Sequence, residues 1–260
     1  MGSIEKKRKN WSKEETIVAF YVYCIIPFEK SSKTNPTIIH YANLLSRSPS
    51  ALNMKVGNIG RLDPELKKKD ISGLRHGAKM EEIVWNLFTD DKERLVYEAE
   101  KIIENLSGKP IEETSLQPNE MDYSSKDKTR AVKTRIGQGF FRSSVLSAYN
   151  NTCAITGLNI SELLVASHIK PWAQDENNRL NPHNGICLNS IHDKAFDKGL
   201  ITIDKSYRVV ISGKLKEHYS HGFIDDVFKK YESTKILSPT KFKPSTEFLE
   251  YHNDVIFKGV

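Results

Sequence analysis

The chain has 260 residues, 38% of them hydrophobic, which is enough to bury a core in one large domain or two smaller ones and excludes wholesale disorder. Lys and Arg outnumber Asp and Glu by 39 to 33, an excess of +6 that suits a polyanionic partner without requiring one. The three cysteines form no Cys-x-x-Cys pair, which argues against a disulfide framework and for a reducing compartment.

The N-terminal stretch gives no sign of export or of a membrane. Its first ten residues are basic but precede no apolar run, so we expect no secretory signal. The apolar residues between 15 and 28 are too few to cross a bilayer. We therefore predict a soluble, cytoplasmic protein with no membrane partner.

Residues 1–107 are predicted to form a helical domain. Ser12 can cap the first helix, with Glu15 three residues later closing a capping box. A short helix over residues 38–45, a turn, and a second helix beginning at Pro49 with Ser48 as its cap give a helix-turn-helix shape. Four polar residues of this segment could contact phosphates or base edges, or could form an ordinary solvated face: Arg47, Ser50, Asn53 and Lys55.

Further helix is predicted between residues 80 and 105, with Asp90 and Asp91 starting a fresh helix within it. Residues 108–128 are polar and contain Pro and Gly, which is typical of an interdomain linker. We expect a second domain over residues 129–260. It opens with a basic stretch in which Arg135, Gln138 and Arg142 could bind phosphates or be merely solvated.

The order of elements in this second domain is strand, loop, strand, helix. Apolar and β-branched residues predict strands at 163–169 and 186–188, and residues 190–197 predict a short helix that Gly199 ends. A hairpin of alternating pattern follows, between residues 200 and 211. The sequence therefore predicts an α+β protein, mainly helical at first and then a compact ββα unit.

Three phrases within this unit carry chemistry-bearing residues in a fixed order. They are Ser167-His-Ile-Lys-Pro-Trp172, the stretch around Asn184 that reads Asn-Gly-Ile-Cys-Leu, and His192-Asp-Lys-Ala-Phe-Asp-Lys-Gly199. The order and spacing of His168, Asn184 and His192 in these phrases resemble the motif of the His-Asn-His (HNH) branch of the ββα-metal nucleases. The lead-in between residues 138 and 157 is similar to that of bacterial restriction-type HNH endonucleases.

The resemblance implies a metal-dependent DNA endonuclease that leaves 5′-phosphate and 3′-hydroxyl ends. His168 matches the general base, and an imidazole with an ordinary pKa of about 6.5 suits that role. Asn184 matches the residue whose amide closes the loop between the strands. His192 matches the metal ligand for one divalent ion, and Mg²⁺, Mn²⁺, Ni²⁺ and Zn²⁺ all stay open.

The sequence departs from the family pattern at one metal position. Many HNH enzymes place Asp or His before the catalytic base, where this chain has Ser167. Asp193 and Asp197 are candidates to replace that ligand, although Asp197 is better explained as a brace for the helix end. Cys153 and Cys187 cannot supply the four thiolates of the structural zinc site that some relatives use.

Two functions from different classes compete. In the first, the helical domain binds double-stranded DNA and the HNH unit cuts it in restriction or another defence, either as a homodimer or through two successive nicks. In the second, the chain is a DNA-binding regulator with a degenerate, inactive HNH fold, which the serine at position 167 favours.

Overall fold

The computed structural model describes residues 10–69, 77–109 and 128–259, with the side chains of 128–135 excepted. Most of the predicted linker, residues 110–127, lies outside the described residues. No described helix combines the length and hydropathy needed to cross a membrane. The described part is mixed helix and small antiparallel sheets, as the sequence predicts.

Helix α1 (Lys13–Ile25) is the centre of the helical part. The capping box predicted at Ser12 and Glu15 is present, with each side chain bonded to the other residue's backbone N–H. Every residue from 15 to 24 is buried. A helix buried all round lies inside a bundle, and α1 indeed contacts helices on several sides.

The helices around α1 follow the predicted caps. They are α2 (Pro36–Leu44), α3 (Pro49–Gly60), α4 (Pro64–Lys67), α5 (Lys79–Phe88) and α6 (Lys92–Ser107). Ser48 caps α3 and Asp91 caps α6, each accepting a backbone N–H. The two helices α2 and α3 and the turn between them lie where the sequence predicts. Helix α3 packs against α1, α2 and α5, and this packing does not by itself show a DNA-binding helix-turn-helix.

The second part begins with α7 (Lys128–Ala148) and contains the ββα unit. Strands β1 (Leu164–His168) and β2 (Gly185–Asn189) pair antiparallel, with Ser167 opposite Ile186 and His168 opposite Gly185. Helix α8 (Ser190–Asp197) follows β2 directly and packs on both strands. The predicted end of α8 is confirmed, because Gly199 adopts a left-handed φ of 68° just beyond it.

A predominantly irregular segment completes the chain. It holds the predicted hairpin, β3 (Ile201–Ile203) and β4 (Val209–Ile211), and then short helices α9 (Gly213–Lys216) and α10 (Gly222–Val227). Helix α11 (Thr246–Tyr251) continues into a π-helical turn at His252–Ile256. That turn contacts β3, so the end of the chain returns to the ββα unit.

The hydrophobic core is continuous across the boundary predicted between the two domains. Helix α7 packs on α1 as well as on β1 and β2, and apolar residues of both parts form one buried cluster. Lys241 reinforces this junction: its fully buried ammonium donates to the carbonyls of Tyr23, Cys24 and Ile26 at the end of α1. A cation there complements the helix dipole and satisfies carbonyls that have no helical partner.

Candidate functional site

His168 is the last residue of β1, and its ring is held on three sides. It stacks on Phe141 of α7 with ring centres 3.7 Å apart, and it meets the Trp172 ring edge-on. Its Nε2 lies 3.0 Å from the carbonyl oxygen of Arg179. Gly185 permits the stack, since a Cβ there would lie 2.9 Å from the Phe141 ring. The imidazole is therefore fixed before any substrate arrives.

The surroundings of His168 also fix its proton. A carbonyl oxygen can only accept a hydrogen bond, so Nε2 carries the proton and Nδ1 keeps its lone pair. Within the described residues Nδ1 has no hydrogen-bond partner. Burial lowers the pKa of His168 below its usual value, against a smaller opposing effect of the Arg179 carbonyl. The ring is thus a neutral base near pH 7.

Asn184 closes the loop between β1 and β2. Its fully buried amide accepts from the backbone N–H of Lys170 at 2.8 Å and donates to the carbonyl of the same residue at 3.0 Å. A longer bond of 3.4 Å reaches the carbonyl of Asn178. The side chain does not line the cavity beside His168, so its contribution is to hold the loop that carries Arg179.

Two carboxylates share a cavity with His168. Asp193 and Asp197 lie one turn apart on α8, and both line the same open cavity of about 760 Å³. Burial raises the pKa of each, and in Asp197 the charge of Asp193 raises it further, which indicates that the two groups are close. Lys194 and Lys198 line the same cavity and offset part of this repulsion, so the two carboxylates can stay ionised and act as oxygen donors.

Ser167 faces the same cavity. The residue is only 2% exposed, and its hydroxyl oxygen is a buried polar atom without a hydrogen-bond partner of good geometry. The hydroxyl nevertheless lies near enough to Asp193 to lower the pKa of that carboxyl, against the larger effect of burial. A hydroxyl beside a carboxylate has an acceptor for its proton, so Ser167 and Asp193 form a polar pair at the wall of this cavity.

His192 faces away from this cavity. It is 1% exposed, its Nε2 donates to the carbonyl of Val227 at 2.8 Å, and its Nδ1 accepts from the Asn189 amide at 2.8 Å. The rings of Phe228 and Tyr231 enclose it. Both ring nitrogens are therefore engaged by the protein, and the geometry does not support the ligand role that the sequence resemblance assigns to His192.

The donor set around the cavity fits a hard divalent cation. Within the described residues, no group of three or more His, Cys, Asp or Glu side chains could hold a metal. Asp193, Asp197 and the Ser167 hydroxyl offer oxygen donors. Mg²⁺ is commonly held by one or two carboxylates with waters and substrate oxygens completing its shell, and Mn²⁺ accepts similar ligands. The imidazoles of His168 and His252 also line the cavity, so its lining leaves the identity of the ion open.

Two cations that the sequence suggested for DNA contact are structural in this fold. Arg47 donates to both carboxylate oxygens of Glu15, at 2.8 and 2.9 Å. Lys55 is only 5% exposed and donates to fully buried Glu81 at 2.7 Å. Their charges are paired inside the helical part, and this pairing fits neither the predicted DNA contact nor the alternative of a solvated face.

The other predicted contacts have different environments. Asn53 accepts from the Ser31 hydroxyl, whereas Ser50 is exposed. Gln138 and Arg142 line a smaller cavity of about 280 Å³ that also contacts His168, and Arg142 donates to the Leu164 carbonyl at 2.9 Å. The Arg135 side chain lies outside the described residues. Gln138 and Arg142 are therefore the predicted contacts that the fold brings to His168.

The comparison with protein families agrees with this geometry. Residues 153–204 match the model of the family described as HNH endonuclease, and that segment contains β1, β2, α8 and all of the HNH residues. No match to a curated protein was found. The resemblance drawn from the sequence is confirmed for this segment, which is an HNH endonuclease domain. The match does not extend to the bacterial restriction type.

Proposed function

We propose that the protein is a metal-dependent DNA endonuclease. One observation carries the proposal: inside an HNH domain, His168 and the carboxylates of Asp193 and Asp197 line a single cavity. A fixed neutral base and a paired acidic site in one open cavity are the components that hydrolysis of a phosphodiester needs.

In the proposed mechanism, His168 is the general base. Its Nδ1 accepts a proton from the attacking water, while the bond from Nε2 to the Arg179 carbonyl keeps the ring oriented and supports the imidazolium that forms. Asn184 is a positioning residue, since its amide fixes the loop that presents that carbonyl. Asp193 and Asp197 would hold one divalent ion, which when bound stabilises negative charge on the phosphate and the leaving oxygen.

We further propose that Gln138 and Arg142 contact the DNA strand beside His168, because both line the cavity that adjoins the base. Cutting both strands would require a homodimer or two successive nicks. A role in restriction or another defence against foreign DNA is supported by the sequence resemblance of residues 138–157 to restriction-type enzymes.

The second candidate is a DNA-binding regulator with an inactive HNH fold. It is favoured by the engaged His192 and by Ser167 at a position where relatives carry a ligand. Tight, sequence-specific binding without metal-dependent cutting would support it. The carboxylates of Asp193 and Asp197, which line one cavity with the neutral base His168, favour the active enzyme.

The deciding experiment is plasmid cleavage with Mg²⁺, Mn²⁺, Ni²⁺ or Zn²⁺, comparing the natural chain with His168→Ala. Removing a general base lowers rates by typically 10² to 10⁴-fold, so we expect a loss of at least about a hundredfold with Mg²⁺ or Mn²⁺. His218→Ala is the matched control, since His218 is exposed and lies outside the cavity. Equal cleavage by the natural chain and His168→Ala would remove His168 from the mechanism.

A further inference from the structure

Three lysines line the same cavity as His168 and the two carboxylates. Lys194 lies on α8 and Lys198 is the residue that caps its C-terminal end, each one residue after an aspartate of the cavity, and Lys258 lies in the C-terminal segment. All three are exposed. Among the described residues none of them forms a salt bridge, whereas Arg47 and Lys55 are neutralised by carboxylates. Against the larger raising effect of burial, Lys194 lowers the pKa of Asp193 and Asp197, and Lys198 lowers that of Asp197, but no close ion pair holds either ammonium group in place.

The fold fixes the position of Lys258 although it is 60 residues away from Lys198 in the sequence. Its backbone N–H donates to the Gly199 carbonyl at 2.9 Å, directly after α8. The approach is so close that a Cβ on Gly199 would lie 2.1 Å from the Ile256 carbonyl oxygen. His252 adds a second attachment, stacking on Phe196 and bonding to its carbonyl. Lys258 is thus held against the end of α8.

We propose that Lys194, Lys198 and Lys258 form a phosphate-binding wall that holds the DNA backbone next to the cut phosphate. The proposal rests on the proposed nuclease function and deepens it by naming how the substrate strand is bound. Two carboxylates alone repel a polyanion, and three ammonium groups around them reverse the sign of the local charge. Lysine binds phosphate as a point charge without reading bases, so the wall holds any sequence.

The wall extends beyond the segment that defines the HNH family. Residues 153–204 include Lys194 and Lys198, but Lys258 comes from the C-terminal segment that the match leaves out. Val255 and Ile256 of the π-helical turn line the same cavity, so this segment supplies one side of it. We infer that the C-terminal segment is part of the substrate-binding site of this chain and not only a support for β3.

The test measures binding of a duplex oligonucleotide without divalent metal, over a range of potassium chloride concentrations. The full chain is compared with Lys194→Gln, Lys198→Gln, Lys258→Gln and the triple variant. Each phosphate contact contributes about 0.9 to the slope of log affinity against log salt. We expect the slope to fall by about 0.9 for each lysine, which is roughly an eightfold weaker affinity at 0.1 M salt.

Lys101→Gln is the matched control, because it removes one exposed charge from α6, outside the cavity. The proposal is overturned if the triple variant keeps the slope of the natural chain. It is also overturned if Lys101→Gln lowers the slope as much as each single variant of the cavity does, because the lysines would then act through overall charge and not through a defined site. Cleavage is measured separately with Mg²⁺. If the lysine variants lower the salt slope but the natural chain never cuts DNA, the phosphate-binding wall is supported and the nuclease function is refuted. If the natural chain cuts DNA but the lysine variants leave the salt slope unchanged, the nuclease function is supported and the wall is refuted.

Discussion

His192 and Asp193 are neighbours in the sequence with opposite surroundings. Successive residues of a helix point about 100° apart, so one of the two can enter the core while the other reaches the cavity. His192 takes the core position, bonded to Val227 and Asn189, and Asp193 takes the cavity position. The family motif places a histidine here, and only the direction of each side chain shows which of the two residues reaches the cavity.

This difference gives a prediction at the residue scale. His192→Ala removes a buried ring and one hydrogen bond from each of two half-buried partners, so we expect the free energy of unfolding to fall by about 2–4 kcal/mol. Metal affinity of the folded protein should change little. Asp193→Asn should do the opposite, weakening Mn²⁺ binding by at least about tenfold through loss of a charged oxygen ligand.

Thermal unfolding and calorimetric Mn²⁺ titration measure the two effects on the same samples. His192→Gln serves as a second variant, since it retains an amide that can meet the Asn189 and Val227 groups and should unfold less readily than His192→Ala. Loss of Mn²⁺ binding in a folded His192→Gln protein, with normal binding in Asp193→Asn, would restore His192 as the ligand.

At the scale of elements, the junction between α8 and the C-terminal segment depends on one glycine. Gly199 has a left-handed φ of 68° and almost touches the Ile256 carbonyl. The sequence identifies Gly199 as the end of a helix, but it gives no sign that residue 256 lies against it. The same glycine thus ends α8 and makes room for the chain segment that carries Lys258.

We predict that Gly199→Ala detaches that segment locally. A Cβ there is strained by the backbone angle and collides with backbone rather than with a flexible side chain, so we expect a loss of about 1–3 kcal/mol. Hydrogen exchange should quicken at residues 252–258, including the Lys258 N–H that bonds to Gly199. Gly222→Ala is the control, because a Cβ there meets nothing within 4 Å. Equal exchange in both variants would contradict this prediction.

At the scale of the whole molecule, buried cations and imidazoles join segments that are distant in the sequence. Lys241 holds the end of α1, and burial lowers its pKa to about 7. His252 joins the end of α11 to β3 and α8 through Thr202 and Phe196, and burial lowers its pKa to about 4, against a smaller effect of the Phe196 carbonyl. Acid therefore probes the His252 junction.

The sign of the His252 effect follows from its lowered pKa. Below a pH of about 6.5 His252 is protonated in the unfolded chain, whereas in the folded chain it stays neutral down to about pH 4. The folded state is therefore destabilised as pH falls through this window. The full loss amounts to about 3 kcal/mol. Urea unfolding of the natural chain and His252→Gln at pH 7, 5.5 and 4 should show the two curves converging as pH falls. Parallel curves would contradict the assignment.

The sequence by itself determined the local features of this protein. Capping at Ser12, Ser48 and Asp91, the left-handed glycine after α8, and the strand-strand-helix order with its HNH phrases all depend on residues close together in the chain. Such features are governed by backbone preferences and short-range hydrogen bonds, which a sequence displays directly.

Only the tertiary structure decided which charges are free and which are paired. Arg47 and Lys55 carry the positive charge expected of a DNA-binding face, yet each forms an ion pair with a glutamate. The partners, Glu15 and Glu81, are 26 or more residues away in the sequence. Asp193 lines one cavity with His168 because of how α8 packs on the strands, and Lys258 is placed by its contact with Gly199. Burial and pairing depend on which segments meet in space, and no local pattern encodes that meeting.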